Sequence, residues 1–286
     1  MTSVSELEHR QHRDGSFGAR PDAAGRVVST IFAARSLLEG GATDSPALPA
    51  ALDYLTATAI IDGGGSIDGT RNGVLPCYTG MLANLLVSAG RLDDARPLLE
   101  WIVKYQPITF GGMVYLQPSG PGWGEYLHRR YGGCMRSTTC MLGLVPTISA
   151  LVAARAAGVD IAADAHLDAM RRLLIDRHLM IGRSGAVMPL SGRTTNDPTG
   201  TRWLLPAFPR DYVIDLIDLL SLAVALDVPR EAMQEARELL ESWRLPDGTW
   251  PMLGKRRILD AYRPESVSSR QPSAIITARV RALELG

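Results

Sequence analysis

Three cysteines carry the strongest chemical signal in this 286-residue chain. Cys77 lies in LPCYTG, while Cys134 and Cys140 lie in YGGCMRSTTC. Zinc takes deprotonated, soft or borderline ligands, and a catalytic zinc site joins three protein groups to an open position. Three cysteinates would meet that need, with water or substrate as the fourth ligand. His128 or Glu125, in the adjoining loop, would complete four-coordination. The spacing of Cys134 and Cys140 is not that of a zinc finger. The competing reading is three packed thiols, because free cysteine is among the most buried residue types.

Other residues offer charge or acid–base chemistry. Arg136 sits between Cys134 and Cys140 and would lie beside any metal there. Arg202 and Arg210 flank the insert WLLPAF, which holds Trp203 and Phe208. Forked guanidinium bonds from such arginines can hold a carboxylate or a diphosphate. A second insert carries Trp123 and Tyr126, and GKRRILDAYR gathers Lys255, Arg256, Arg257 and Arg263. In FPRDYVIDLIDLL, Asp215 is a candidate general acid or base, with Asp218 on the same helix face and Tyr212 nearby. His166 and Asp168 read as solvated outer-face residues. GGGSIDG is not followed by the Lys-Ser/Thr of a phosphate loop, and Gly-x-Ser-x-Gly is absent.

These residues are spaced along a helical pattern. RVVSTIFAARSLLEGG places Val28, Ile31, Phe32, Ala34 and Leu38 on one helix and stops at a glycine pair. Similar helix pairs recur to the C-terminus, joined by corners at 11–18, 61–69, 105–116, 178–188 and 243–252. Each corner sets Asp, Gly or Pro before an apolar residue that can tuck under the adjoining helices. Alternation over several residues is nearly absent, so no strand is expected. A recurring helix pair implies a solenoid or a closed ring. The uneven unit length favours a ring, formed as a single domain over residues 1–286.

Composition narrows the class. Apolar residues are 46% and charged residues 21%, as in a soluble protein with a sizeable core. Thirty basic and thirty acidic residues give no net charge. That argues against nucleic acid as a partner and permits self-association into an oligomer. The polar N-terminus lacks a signal peptide's apolar region, and no apolar run is long enough to span a membrane. Reduced thiols in a cytoplasm are the expectation.

The corners QHRDGSFG and RLPDGTW resemble the Gln–Trp-type repeats of the prenyltransferase and squalene–hopene cyclase superfamily. That resemblance implies an all-α fold, the α/α toroid, with inner and outer helices around a mostly apolar cavity. In the zinc-dependent protein prenyltransferases an Asp-x-Cys-Tyr motif starts one inner helix and a His starts a later one. VLPCYTG is similar to the first segment, with Cys77 and Tyr78 matching and Leu75 in the place of Asp. RSTTCMLGL is similar to the second, with Thr138 or Cys140 near the place of His. The Asp-rich D-x-D-D acid of the class II terpene cyclases is absent.

Placed on that ring, Cys77 and Cys140 fall at the N-terminal ends of inner helices, and Cys134 just ahead of Cys140. The expectation is therefore a zinc-dependent enzyme with Cys77, Cys134, Cys140 and His128 as metal ligands. Tyr78, Tyr212 and Asp215 are the candidate catalytic groups. Arg136, Arg202, Arg210, Trp123 and Trp203 would bind a small, partly apolar, anionic molecule of specialised metabolism. Cyclisation, lyase, hydrolytic and group-transfer chemistry stay open. A metal-free terpenoid-type cyclase with Asp215 or Asp218 as its acid, and a non-catalytic binding toroid, are the alternatives.

Overall fold

The computed structural model describes residues 1–19, 23–118, 123, 134–135, 139–181, 187–188, 190 and 202–283. It is mostly helical. A short helix α1 (Val4–Glu8) opens the chain, followed by α2 (Ala23–Glu39), α3 (Ala47–Ala59), α4 (Pro76–Ser88) and α5 (Leu92–Tyr105). Then come α6 (Met141–Ala156), α7 (Asp164–Asp176), α8 (Leu216–Ala225), α9 (Arg230–Glu241) and α10 (Ala274–Arg281).

The helices divide by how they bury their faces. On α9 the buried residues are Ala232, Met233, Ala236 and Leu240, spaced three or four apart, so one stripe is covered and the rest is wet. On α4 and α6 burial runs almost all the way round. Accordingly α3, α5, α7 and α9 back α2, α4, α6 and α8 respectively. The helices α4 and α6 make the most intimate pair in the molecule.

Two glycines set that intimacy. A Cβ on Gly80 would lie 2.4 Å from the Thr147 nitrogen, and one on Gly143 would lie 3.0 Å from Pro76 Cβ. Residue 143 meets 76 and residue 80 meets 146–147, so contact numbers rise together and the helices run parallel. The same holds for α2 against α4. Phe32 packs on Tyr78 at 6.4 Å between ring centroids, and one turn on Arg35 Nη1 donates to the Met81 sulfur at 3.5 Å. The N-terminal ends of α4 and α6 therefore sit side by side, with Pro76 at the first turn of α4 and Cys140 as the N-cap of α6.

The corners do what their sequences predict. Gly15 and Gly248 both take left-handed backbone, φ +85° and +81°. The aromatic that follows each is buried, Phe17 completely. Trp250 donates from its indole nitrogen to the Leu240 carbonyl at 3.0 Å. Short antiparallel strands also form, against expectation: β1 (Ile60–Ile61) with β2 (Gly64–Gly65), β3 (Ile108–Phe110) with β4 (Met113–Leu116), and β5 (Pro251–Met252) with β6 (Ser268–Pro272). Strands of two to five residues are too short to show alternation.

No described helix is long and apolar enough to cross a membrane.

Candidate functional site

A cavity of about 400 Å³ opens among α2, α4, α6, α8 and α10. Its apolar lining is Leu38, Met81, Leu85, Val145, Pro146, Val213, Ile214 and Ala282. Its polar lining holds Arg35, Glu39, Asn84, Ser88, Ser149, Arg210, Asp211, Asp218, Ser221 and Arg279, and among the described residues Tyr212 is the one aromatic in the lining.

The charges form a chain of ion pairs. Arg35 Nε donates to Glu39 Oε1 at 2.7 Å, and its Nη1 donates to the Asp211 carbonyl at 2.9 Å. Arg210 Nε donates to Glu39 Oε2 at 2.9 Å, and Arg210 also pairs with Asp218. Arg279 reaches Asp218 at 3.1 Å and grips Asp215 with both terminal nitrogens. Burial by itself would raise the Glu39 carboxyl, but the Arg210 and Arg35 guanidiniums outweigh it and hold the group far below the usual carboxylate range. Burial, together with Arg35, lowers Arg210 to about 10 against the opposing pull of Glu39. Arg35 Nη2 has no acceptor among the described residues, so this cation keeps donors to offer a ligand.

Asp215 is not placed as a proton donor. It is 1% exposed, and its two oxygens accept from Arg279 Nη1 and Nη2, from the Ala207 nitrogen at 3.2 Å and from the Asp218 nitrogen at 3.0 Å. These four bonds fill the acceptor positions of the carboxyl group. It caps α8 in a reciprocal box with Asp218.

The cysteines lie towards the N-terminal ends of α4 and α6. Burial pushes the Cys77 thiol far up, and Cys134 and Cys140 add to the rise, which places the three thiols in one neighbourhood. Burial also pushes Cys140 up. Tyr212 joins them: burial, then Asp211 and Cys77, raise its phenol. At 44% exposed it stands between that neighbourhood and the cavity it lines. Its proton is retained at neutral pH, so Tyr212 can donate to an anionic ligand.

The zinc ligand set of the prenyltransferases does not fit here. Leu75, 5% exposed, is the N-cap residue of α4 where Asp would stand. Among the described residues, no group of three or more His, Cys, Asp or Glu side chains could hold a metal ion. His128, Glu125 and Arg136 lie outside the described residues.

Several expected site residues belong elsewhere. Tyr78 is 9% exposed and packs on Phe32 in the core. Trp123 packs edge-on against Trp101 and Tyr105 of α5, at 5.4 Å and 5.1 Å, with Arg71 4.6 Å above its ring. Trp203 is buried and Arg202 is exposed, and neither lines the cavity. Of the basic cluster, Lys255 and Arg257 are exposed, and Arg263 donates to the Arg256 and Ile258 carbonyls. Arg256 comes within 3.7 Å of Asp211 beside Tyr212, outside the lining. His166 is not solvated. It is 4% exposed, its Nε2 lies 3.2 Å from the Gln106 carbonyl, and burial lowers its pKa. Sequence reasoning missed Arg35, Glu39 and Arg279. The Arg35–Glu39 spacing of four on one helix was the available signal.

No family model matches the chain, and no curated protein matches it. Among solved structures it is similar to a protein from Actinoplanes, at 16% identity and TM-score 0.36 over 96% of this chain and 90% of that one. It is also similar to the type II terpene cyclase MstE from Scytonema in complex with geranylgeranyl dihydroxybenzoate. There the identity is 18% and the TM-score 0.35, over 86% of this chain and 78% of that one.

Proposed function

We propose that the chain is an enzyme built as an α/α toroid, and that it works on a small, partly apolar, anionic molecule held in the central cavity. The observation that carries this is the lining itself. Five helices contribute to one cavity whose lining sets apolar side chains beside charged ones. Parallel neighbours α2, α4 and α6, each backed by an outer helix, support the toroid. Arg35 offers the anion Nη2, Tyr212 offers its phenolic proton, and Asn84, Ser149 and Ser221 offer neutral polar atoms.

The same lining weighs against a long polyene as substrate. Cations on a polyene are stabilised by aromatic faces, and among the described residues Tyr212 is the one aromatic in the lining. Six charged side chains, Arg35, Glu39, Arg210, Asp211, Asp218 and Arg279, share the lining with the apolar ones. The reading needs no metal. Elemental analysis decides the zinc question separately, since one zinc per chain would revive the thiol ligands and none would end that version.

Thermal melts in the presence of malonate, inorganic diphosphate and the uncharged isoprenoid alcohol farnesol test the reading. Saturation to 100 times Kd stabilises a protein by about 2.7 kcal/mol, which is several degrees in a domain of this size. A rise with malonate or diphosphate and none with farnesol is expected. A rise with farnesol alone would overturn it.

A further inference from the structure

Cys134 and Cys140 flank a single antiparallel bridge. Met135 bridges Thr139, and the Cys140 nitrogen donates to the Cys134 carbonyl at 3.1 Å. Residues 134 and 140 are thus the next directly opposed pair. Opposed residues in an antiparallel pair carry their side chains on the same face. At a hydrogen-bonded position their Cα atoms are about 5.5 Å apart, inside the 4.4–6.8 Å span that a disulfide bridges. No disulfide joins any cysteine here. We propose that Cys134 and Cys140 are a reversible redox pair that closes to a disulfide when the chain meets hydrogen peroxide.

The step balances as follows. One sulfur, as thiolate, attacks a peroxide oxygen, the O–O bond breaks, and hydroxide leaves to take up the proton that the thiol lost. The product is a sulfenic acid. The second sulfur attacks the first, the S–S bond forms and the S–O bond breaks. The oxygen leaves as water with the second thiol's proton. Two thiols are oxidised by two electrons and the peroxide is reduced to two waters.

Cys77 lies in the same thiol neighbourhood but in the first turn of α4, and it shares no backbone register with the other two. It is the internal control. Closing the pair would pin the chain where α6 begins. There Thr139 donates to the Thr109 carbonyl at 2.8 Å and Met141 to the Leu190 carbonyl at 2.7 Å. This inference does not depend on the nature of the cavity ligand.

The test is peptide mapping of the full chain after peroxide treatment, with alkylation before and after reduction. The expected product is a Cys134–Cys140 linked peptide that dithiothreitol opens, with Cys77 still alkylated. Cys77→Ser should form the same link, and Cys140→Ser should form none. Three alkylatable thiols after oxidation, or a link that includes Cys77, would overturn the proposal.

Discussion

Arg279, near the end of the last helix, holds Asp215, the cap of α8, through two parallel bonds of 2.8 Å and 2.9 Å. The pair ties the C-terminal helix to the rest of the cavity wall. Asp215 is almost wholly buried, so its charge depends on this partner. Breaking a buried pair by removing one member costs about 3–5 kcal/mol, because the other charge is left without compensation. Arg279→Met should therefore lower the urea midpoint sharply. Asp215→Asn, which removes the stranded charge and keeps a side chain able to cap, should cost less. Equal and small losses from the two would show that the pair is a surface-like contact.

Glu39 makes stability depend on pH. Its carboxyl is lowered in the folded chain from an ordinary 4.5 by Arg210 and Arg35, which overcome burial. A depressed carboxylate stabilises the fold fully above its unfolded pKa and loses that contribution as pH falls through the folded value. The stability gap between the native chain and Glu39→Gln should be constant above about pH 5.5 and narrow below about pH 4.5. Urea titrations at stepped pH measure it. A gap that does not change with pH would contradict the account of the ion-pair chain.

Gly80 sets the distance between α4 and α6. A methyl group there would meet the Thr147 nitrogen and the Pro146 carbonyl carbon at 2.4 Å and 2.5 Å, both backbone atoms that cannot turn aside. Gly80→Ala should destabilise the chain by about 1–3 kcal/mol or more. Gly90→Ala is the contrast. Gly90 has open space around it, and its cost comes only from its left-handed backbone, φ +74°. Indifference of the chain to Gly80→Ala would mean that the two helices do not need their close approach.

Much of the scaffold was legible in the sequence. Apolar spacing marked the helices, and the Asp-Gly corners marked the turns, because both depend on neighbours along the chain. The short hairpins were hidden by their length. Within the cavity lining, only Arg210, Tyr212 and Asp218 had been singled out as candidate site residues. Arg279 pairs with Asp215 across 64 residues and Arg210 with Glu39 across 171, and no local pattern announces such partners. Trp123 looked like a binding aromatic because it sat in a long insert, yet its ring completes a cluster on α5. The cysteines were correctly placed near two helix N-termini. The sequence did not show that burial would push the Cys77 and Cys140 thiols up.

The central claim is that Arg35 holds an anion in the cavity, and calorimetric titration of malonate and inorganic diphosphate into the native chain and into Arg35→Gln tests it most directly. Hydrogen bonds to charged groups contribute about 1.5–3 kcal/mol, so the variant should bind at least about tenfold more weakly. Equal affinity in the two proteins, or no heat from either anion with the native chain, would contradict it.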